Sequence, residues 1–391
     1  MTDTDISFDL TEALSSADFA RDPYPVYAEL RAVPGWVAPS GYRVFSAYAD
    51  VLQILRQPDI FGQERVPYPN FHTTDQPEHT RLRRLVAKAF TAQSIGLLND
   101  RIAAIVGRLL DDLEGRSEFD LISDFAQRLS AAVIAEVLQV PEEDAIKWYG
   151  WIHDLARFRG VTRFFPLESG NDPGALDAAK KANEEAAAYM GKLIETHRSL
   201  RDGGLFSARE KDDSLSEEEI LYTLILLLGA GLHTTSGQLG NTLRAILSRP
   251  EVVADLRDDP SRVPNALEEA LRFDGALQAE YRVVRSDVAL QGFNLEAGDH
   301  LIVMNGAANH DPDFFENPSE FDIHRENARR HLTFGFGIHH CLGAELARTE
   351  IVTAVRELLR CFPSVALVGP GEQTASDRWR GLSTLPARVS R

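Results

Sequence analysis

The sequence predicts a mainly α protein with a minor β region, organised as one large domain over residues 1–391. Three observations lead there. Apolar residues recur at helical spacing from Glu78 to about Val140, from Asp177 to Leu200 and from Glu217 to Ser248. Alternation of period two is confined to Gly41–Ala47 and to short segments between Tyr281 and Met304. No repeat, low-complexity linker or break in composition marks a boundary.

In chain order, Pro23, Pro25 and Pro34 surround a short helix, Val26–Arg31. Gly41–Ala47 reads as a strand and Ala49–Arg56 as a helix closed by Pro58. A loop rich in Asp, Gly and Lys, Arg201–Asp213, separates the second and third long helical stretches. Ser216 and Glu219 form a capping-box pattern at the head of the third, and Pro250 stands just past its end. Roughly 32 residues at about 1.5 Å each span ~48 Å. The first half of this helix is apolar on nearly every side, which places it centrally. Each of the glycines in Gly229-Ala230-Gly231 costs about 1 kcal/mol relative to alanine. Their presence implies a bend, a ligand close by, or a tightly packed neighbouring helix. Asn265–Phe273 is the next helix. Strands broken at Gly292 and Gly298 follow, then a loop to about Leu332, and a last helix from Leu342 to Leu359.

The composition, 44% hydrophobic and 26% charged, excludes collagen-like, mucin-like and wholly disordered classes. A net charge of −18 argues against nucleic acid as a partner. Two cysteines, Cys341 and Cys361, make no disulfide framework and suit a reducing cytoplasm. The N-terminus, MTDTDISFDL, is acidic and lacks an apolar signal core. Residues 1–20 are expected to be loosely ordered. The longest apolar stretch, Ile220 to Leu232, is interrupted and falls short of the ~20 residues that cross a bilayer, so no membrane span is expected.

The densest chemistry lies in Phe334-Gly335-Phe336-Gly337-Ile338-His339-His340-Cys341-Leu342-Gly343. Cys341 directly precedes a predicted helix, where unpaired N–H groups and the positive dipole end favour a thiolate. Such a group serves as nucleophile or metal ligand, unless the cysteine is purely structural. The paired glycines let the backbone turn tightly and approach a flat cofactor. A zinc site does not fit, because adjacent His-His-Cys lacks the usual ligand spacing. A dinucleotide site fits poorly, because His340 takes the third glycine position outside any strand–turn–helix pattern.

This segment resembles the heme-binding loop of cytochrome P450 monooxygenases, Phe-Gly-x-Gly-x-His-x-Cys-x-Gly, at every fixed position. The resemblance implies a cytochrome P450 fold with the long central helix over heme b (iron protoporphyrin IX). It implies Cys341 as the ligand of the iron, with Phe334, Gly335, His339 and Gly343 around the cofactor. Other matches extend it over the whole chain from Asp22-Pro23-Tyr24 onward. Glu269 and Arg272, i and i+3 on one helix face, match the family's Glu-x-x-Arg pair, and Arg325 matches its third member. By resemblance these three hold the loop of Cys341. His79 and Arg83, i and i+4 on an early helix, match a pair that binds a heme propionate. Arg282 and His339 match two further propionate ligands.

On the long helix, Ala230-Gly231-Leu232-His233-Thr234 matches the family's Ala-Gly-x-(Asp/Glu)-Thr except at His233. Ala230 and Gly231 are then expected beside the cofactor. Thr234 is expected to hold a water for proton delivery; the plain alternative is a back-bond to a carbonyl one turn earlier. Three readings of His233 stay open: a proton relay in place of the acid, a contact to substrate, or a packed and satisfied histidine.

The implied function is a heme-dependent monooxygenase that activates dioxygen to hydroxylate or epoxidise a small organic substrate, a secondary-metabolite intermediate. Oxidative coupling or ring formation without oxygen insertion is the alternative from the same cofactor. A non-catalytic heme-thiolate sensor is the third reading. Arg65, Tyr68 and Phe71, with Arg157, Arg159, Arg163, Phe158, Phe164 and Phe165, suit an anionic, aromatic or carrier-tethered substrate. They are equally a solvated basic face over an aromatic core. No flavin or nicotinamide motif occurs, so electrons are expected from a ferredoxin or flavodoxin, with Arg81, Arg84 and Lys88 as a basic docking patch.

Overall fold

Caps and tight turns decide where the long helical stretches break. The computed structural model describes residues 10–14, 16–64, 70–144, 147–151, 154, 173–200, 216–374 and 378–390. The stretch from Glu78 to Val140 is a chain of helices, among them Glu78–Ala87, Asn99–Asp111 and Gln127–Leu138. Between them Thr91 caps a short helix, its hydroxyl accepting from the Ser94 N–H at 3.2 Å. Gly115, at φ +83°, turns the chain into the strand Glu118–Asp120. The periodicity ran through these breaks because Ile102, Val106 and Leu109 share one apolar cluster with Leu129 and Val133.

Order begins earlier than expected. Leu10–Leu14 and Ala17–Arg21 are short helices. Leu10, Leu14 and Phe19 hold them by burying against Val26, Tyr27 and Leu30 of the helix Tyr24–Ala32. Residues 1–9 and 15 lie outside the described residues.

The main sheet has four strands in the order Arg43–Phe45, His300–Val303, Glu280–Val284, Phe61–Gly62. Val44 pairs with Ile302 in parallel; Tyr281 with Ile302 and Phe61 with Val284 are antiparallel. The hairpin Val288–Leu290/Phe293–Leu295 turns at Gln291 and Gly292, both at positive φ, as a tight two-residue turn of this hand requires.

The long helix runs from Glu217 to Leu247. Its capping box is present: Ser216 Oγ accepts the Glu219 N–H at 3.1 Å, and the Glu219 carboxylate accepts the Ser216 N–H at 2.9 Å. Among the described residues it is the one helix long and apolar enough to cross a membrane, with a mean hydropathy of 1.4. Half of that apolar window is nevertheless buried inside the protein. Its second half carries buried polar groups with internal partners. Asn241 Nδ2 donates to the Asp274 and Arg380 carbonyls at 3.0 and 3.1 Å. These are the marks of a core helix.

The last helix is Ala344–Cys361, two residues later than expected at each end. It packs Glu350 into the interior, 3% exposed, where Ser130 Oγ donates to it at 3.0 Å. Burial pushes this carboxyl from the ordinary 4.5 up to about 8. Between those values the unfolded chain has released a proton that the folded chain keeps, so the contribution of Glu350 to stability falls as pH rises. Glu350→Gln cannot ionise. Its stability relative to the parent protein should therefore climb between about pH 5 and about pH 8, by up to about 1.4 kcal/mol per pH unit. Denaturant titrations at both ends of that interval check this; a flat difference contradicts it.

Candidate active site

The site rests on two adjacent acids of the helix Val263–Phe273. Neighbouring positions on a helix point to different sides, so Glu268 and Glu269 grip different parts of the chain. Glu269, fully buried, takes Arg272 at 2.7 and 2.8 Å and Arg325 at 3.1 and 3.2 Å. The two guanidiniums spend their remaining donors on the carbonyls of Asn309, Pro318, Glu316, Asn317 and Glu320. The three residues meet as a cluster, but their bonds gather the segment from Asn309 to Glu320, upstream of the Cys341 loop, rather than the loop itself.

Glu268 turns the other way. It accepts from His331 Nε2 at 3.1 Å and from Arg348 Nε at 2.6 Å. Against the upward pull of burial, these partners hold its carboxyl down to about 2. The Arg348 guanidinium lies 4.8 Å over the Phe334 ring, and the Phe334 carbonyl accepts the Cys341 N–H at 2.8 Å. The arms of the Cys341 loop are thus tied together and tied to the core. Sequence reasoning missed Glu268, His331 and Arg348. Arg348 lies in the second turn of the helix that follows the loop, and its pairing with Glu268, 80 positions away, left no local signal.

Within the loop, Gly335 and Gly337 have φ of +67° and +72°. A Cβ at Gly337 would meet the Leu55 carbonyl at 2.6 Å, so both conformation and space demand glycine there. Gly343 is different: its φ is −87° and the nearest neighbour to a Cβ is 4.0 Å away. Leu342 packs on the cluster of Leu82, Val86, Ile134, Leu228 and Leu232, which joins the loop to the long helix.

Cys341 differs from expectation. The helix starts at Ala344 with Gly343 as its cap, so the sulfur is not at the first turn. Desolvation by the protein atoms packed around it raises the thiol, although the residue keeps an exposed face; the Gly343 N–H and the charges of Arg83 and Arg348 pull the other way. A cation bound at the sulfur would favour the thiolate. The side chain remains accessible.

Four of the expected residues meet beside the loop. The rings of His79 and His339 pack edge to face with centroids 4.5 Å apart. None of their four ring nitrogens has a hydrogen-bond partner, although His79 is 3% exposed. Burial first, then neighbouring charges, pushes His339 down to about 2 and lowers His79. Arg83 Nη2 donates to the His340 carbonyl at 2.7 Å, and Arg282 is 3% exposed and paired with Glu280 at 2.6 Å. His72, not anticipated, stands with its ring 6.5 Å from His339 and its Nε2 3.3 Å from Arg378.

On the long helix the turn Ala230–Thr234 widens to i→i+5 bonding. Its loosened carbonyls are met by hydroxyls. Thr234 Oγ1 donates to the Ala230 carbonyl at 2.6 Å, and Ser236 Oγ to the Leu232 carbonyl at 2.8 Å. The back-bond of Thr234 is thus present. Two readings of the glycines hold together, because the helix is distorted and Gly231 is also tightly packed. A Cβ there would meet Ile134 Cδ1 at 2.7 Å. Ala230 is exposed although the helix is a core element, and His233 and Thr234 are half-buried.

Two other expectations change. Arg81, expected in a docking patch, also grips Glu219 with both nitrogens, one at 3.1 Å, and so ties the early helix to the head of the long one. Arg84 and Lys88 stay exposed. Phe71 is buried with Leu82 and Val86, beneath the Arg83 guanidinium. Arg65, Tyr68, Arg157, Phe158, Arg159, Arg163, Phe164 and Phe165 lie outside the described residues.

A heme fits these residues. Partnerless buried imidazoles suit its carboxylates, the accessible sulfur suits its iron, and an exposed Ala230 on a core helix marks internal space beside it. Comparison with known proteins agrees. Residues 68–389 match the family model "Cytochrome P450". The chain is 38% identical over 324 residues to cytochrome P450 CYP107DY1 of Priestia megaterium, covering 81% of this chain and 76% of that one. It is 36% identical over 403 residues to cytochrome P450 monooxygenase PikC of Streptomyces venezuelae, covering 96% and 92%. The structure of P450BioI, solved in complex with hexadec-9Z-enoic acid ligated acyl carrier protein, superposes with a TM-score of 0.88 at 31% identity, over 96% of this chain and all of that one.

The clamp carries a quantitative expectation. Glu269→Gln leaves Arg272 and Arg325 buried with no counter-charge, which should cost about 3–5 kcal/mol of stability. A denaturation midpoint within about 1 kcal/mol of the parent would mean that the carbonyl ring alone holds the guanidiniums.

Proposed function

The chain belongs to the cytochrome P450 family of monooxygenases, and from that premise we propose that it is a single-domain cytoplasmic enzyme that hydroxylates or epoxidises a secondary-metabolite intermediate, using heme b and electrons from a ferredoxin. The observation that carries the reading is the tether of the Cys341 loop through Glu268, Arg348 and Phe334, beside the Glu269–Arg272–Arg325 clamp on the segment upstream of it. A loop tied down in this way is suited to presenting one sulfur to a metal. When bound, a thiolate-ligated heme supplies oxygen activation, the sulfur's electron donation favouring O–O cleavage.

The chain's own residues would supply the rest. His79, Arg83, Arg282 and His339 would hold the propionates, with Phe334, Gly335 and Gly343 shaping the proximal face. Ala230 and Gly231 would leave room on the opposite face. Thr234 can exchange its bond to the Ala230 carbonyl for a bond to water and so position a proton. His233 stands one residue away in the same widened turn, and its imidazole can both accept and donate a proton. Arg84 and Lys88, left exposed, would steer an acidic ferredoxin. Relatives named for polyketide biosynthesis and as a mycinamicin IV hydroxylase/epoxidase support a secondary-metabolite substrate. The acyl carrier protein bound to P450BioI supports a carrier-tethered one.

The test is turnover under isotopically labelled dioxygen, with a surrogate ferredoxin chain. Candidates are macrolide, aromatic and carrier-tethered acyl compounds that shift the ferric Soret band. Product carrying one labelled oxygen atom is expected; a coupled or cyclised product without label overturns monooxygenation. In His233→Ala the label should persist while peroxide released per NAD(P)H rises several-fold at unchanged substrate affinity. Unchanged coupling would remove His233 from the proton path.

A further inference from the structure

Glu280 opens the strand Glu280–Val284 and is 4% exposed. Alternation along a strand puts Glu280 and Arg282 on one face. Glu280 Oε2 accepts from Arg282 Nη2 at 2.6 Å, while Arg282 Nη1 donates to the Tyr281 carbonyl at 2.8 Å. Its other oxygen, Oε1, accepts from Asn305 Nδ2 at 3.0 Å. Asn305 Nδ2 also reaches the Leu332 carbonyl at 2.8 Å, at the root of the Cys341 loop. A Cβ built on Gly335 would lie 3.2 Å from the same Oε1. The carboxylate therefore touches the sheet, the loop and the cation expected to receive a propionate.

The surrounding charges are telling. His72, His79 and His339 cluster here, and Arg378 stands beyond His72. Against the upward pull of burial, Arg282 and then Asn305 and His72 keep Glu280 ionised, down to about 2. The one fully buried guanidinium of the cluster is thus already neutralised. Without Glu280, Arg282 would be a buried charge with no counter-ion before the cofactor arrives, a costly state. With Glu280, two incoming propionates share their cation with a third carboxylate in a region of low dielectric, where like charges repel strongly.

On the reading that heme occupies this site, we propose that Glu280 is a resident counter-charge of the propionate pocket, a positioning residue that holds Arg282 and, by opposing the propionates, sets how tightly heme is retained and how readily its iron is reduced. A negative charge that destabilises bound propionate also disfavours the added electron. A purely structural Glu280 would fix Arg282 and space Gly335 without either effect.

Glu280→Gln keeps the shape and one hydrogen bond and removes the charge. Heme transfer to apomyoglobin and the ferric/ferrous midpoint are measured for the parent and E280Q, each loaded with heme or with its dimethyl ester. For heme, E280Q should lose cofactor about tenfold more slowly, and the same factor in the reduction equilibrium raises the midpoint by about 59 mV. For the ester, whose propionates carry no charge, parent and variant should lose cofactor at equal rates. E280S, too short to reach Arg282, carries the same comparison should E280Q fold poorly. Equal loss rates and midpoints with heme overturn the proposal. So does an equal gain with the ester, which would assign the effect to packing. A parent protein lacking the red-shifted carbon-monoxide band of thiolate-ligated heme would overturn the heme-thiolate reading itself, which separates the two failures.

Discussion

The structure depends on two consecutive carboxylates buried back to back on one helix. Glu268 and Glu269 cannot face the same way, and the molecule uses that geometry. Glu269 neutralises Arg272 and Arg325, whose other donors gather five carbonyls of an irregular segment into one place. Glu268 neutralises Arg348, which covers the ring of Phe334. An irregular loop is normally the softest part of a fold. Here the loop that carries Cys341 is fastened through Phe334, and the segment upstream of it is gathered by the Glu269 clamp.

That rigidity is matched by a deliberate weakness across the core. The long helix is capped at its head and anchored near its tail by Asn241, yet it loosens over Ala230–Thr234. Hydroxyl groups of Thr234 and Ser236 stand in for lost backbone bonds. A hydroxyl can exchange one partner for another at little cost, which a backbone N–H in a helix cannot. The helix is therefore firm where it bears load and adaptable at the turn that carries His233. Arg81, gripping Glu219, couples this helix to the one bearing His79 and Arg83.

Much of this was legible in the residues. The capping box, the distorted turn and the Glu269–Arg272 pair have local signatures, because caps, turns and i, i+3 pairs are decided within a few positions; the Cys341 loop and Arg325, 56 positions from Glu269, were reached through the family resemblance. What escaped was decided across the chain. Cys341 was expected at the head of a helix, but the helix starts two residues later, at Ala344, with Gly343 as its cap. Arg81 looked like surface charge because its partner lies 138 positions away. Glu280 carried no motif, and its meaning comes from meeting Arg282, Asn305 and Gly335 in space. Helix breaks between Glu78 and Val140 were hidden because the separate helices face one apolar cluster.

One sulfur decides the account. Carbon monoxide added to the reduced, heme-loaded protein should give the red-shifted band of thiolate ligation, and Cys341→Ser should abolish that band while the fold, read by circular dichroism, persists. A Cys341→Ser spectrum indistinguishable from the parent's would contradict it.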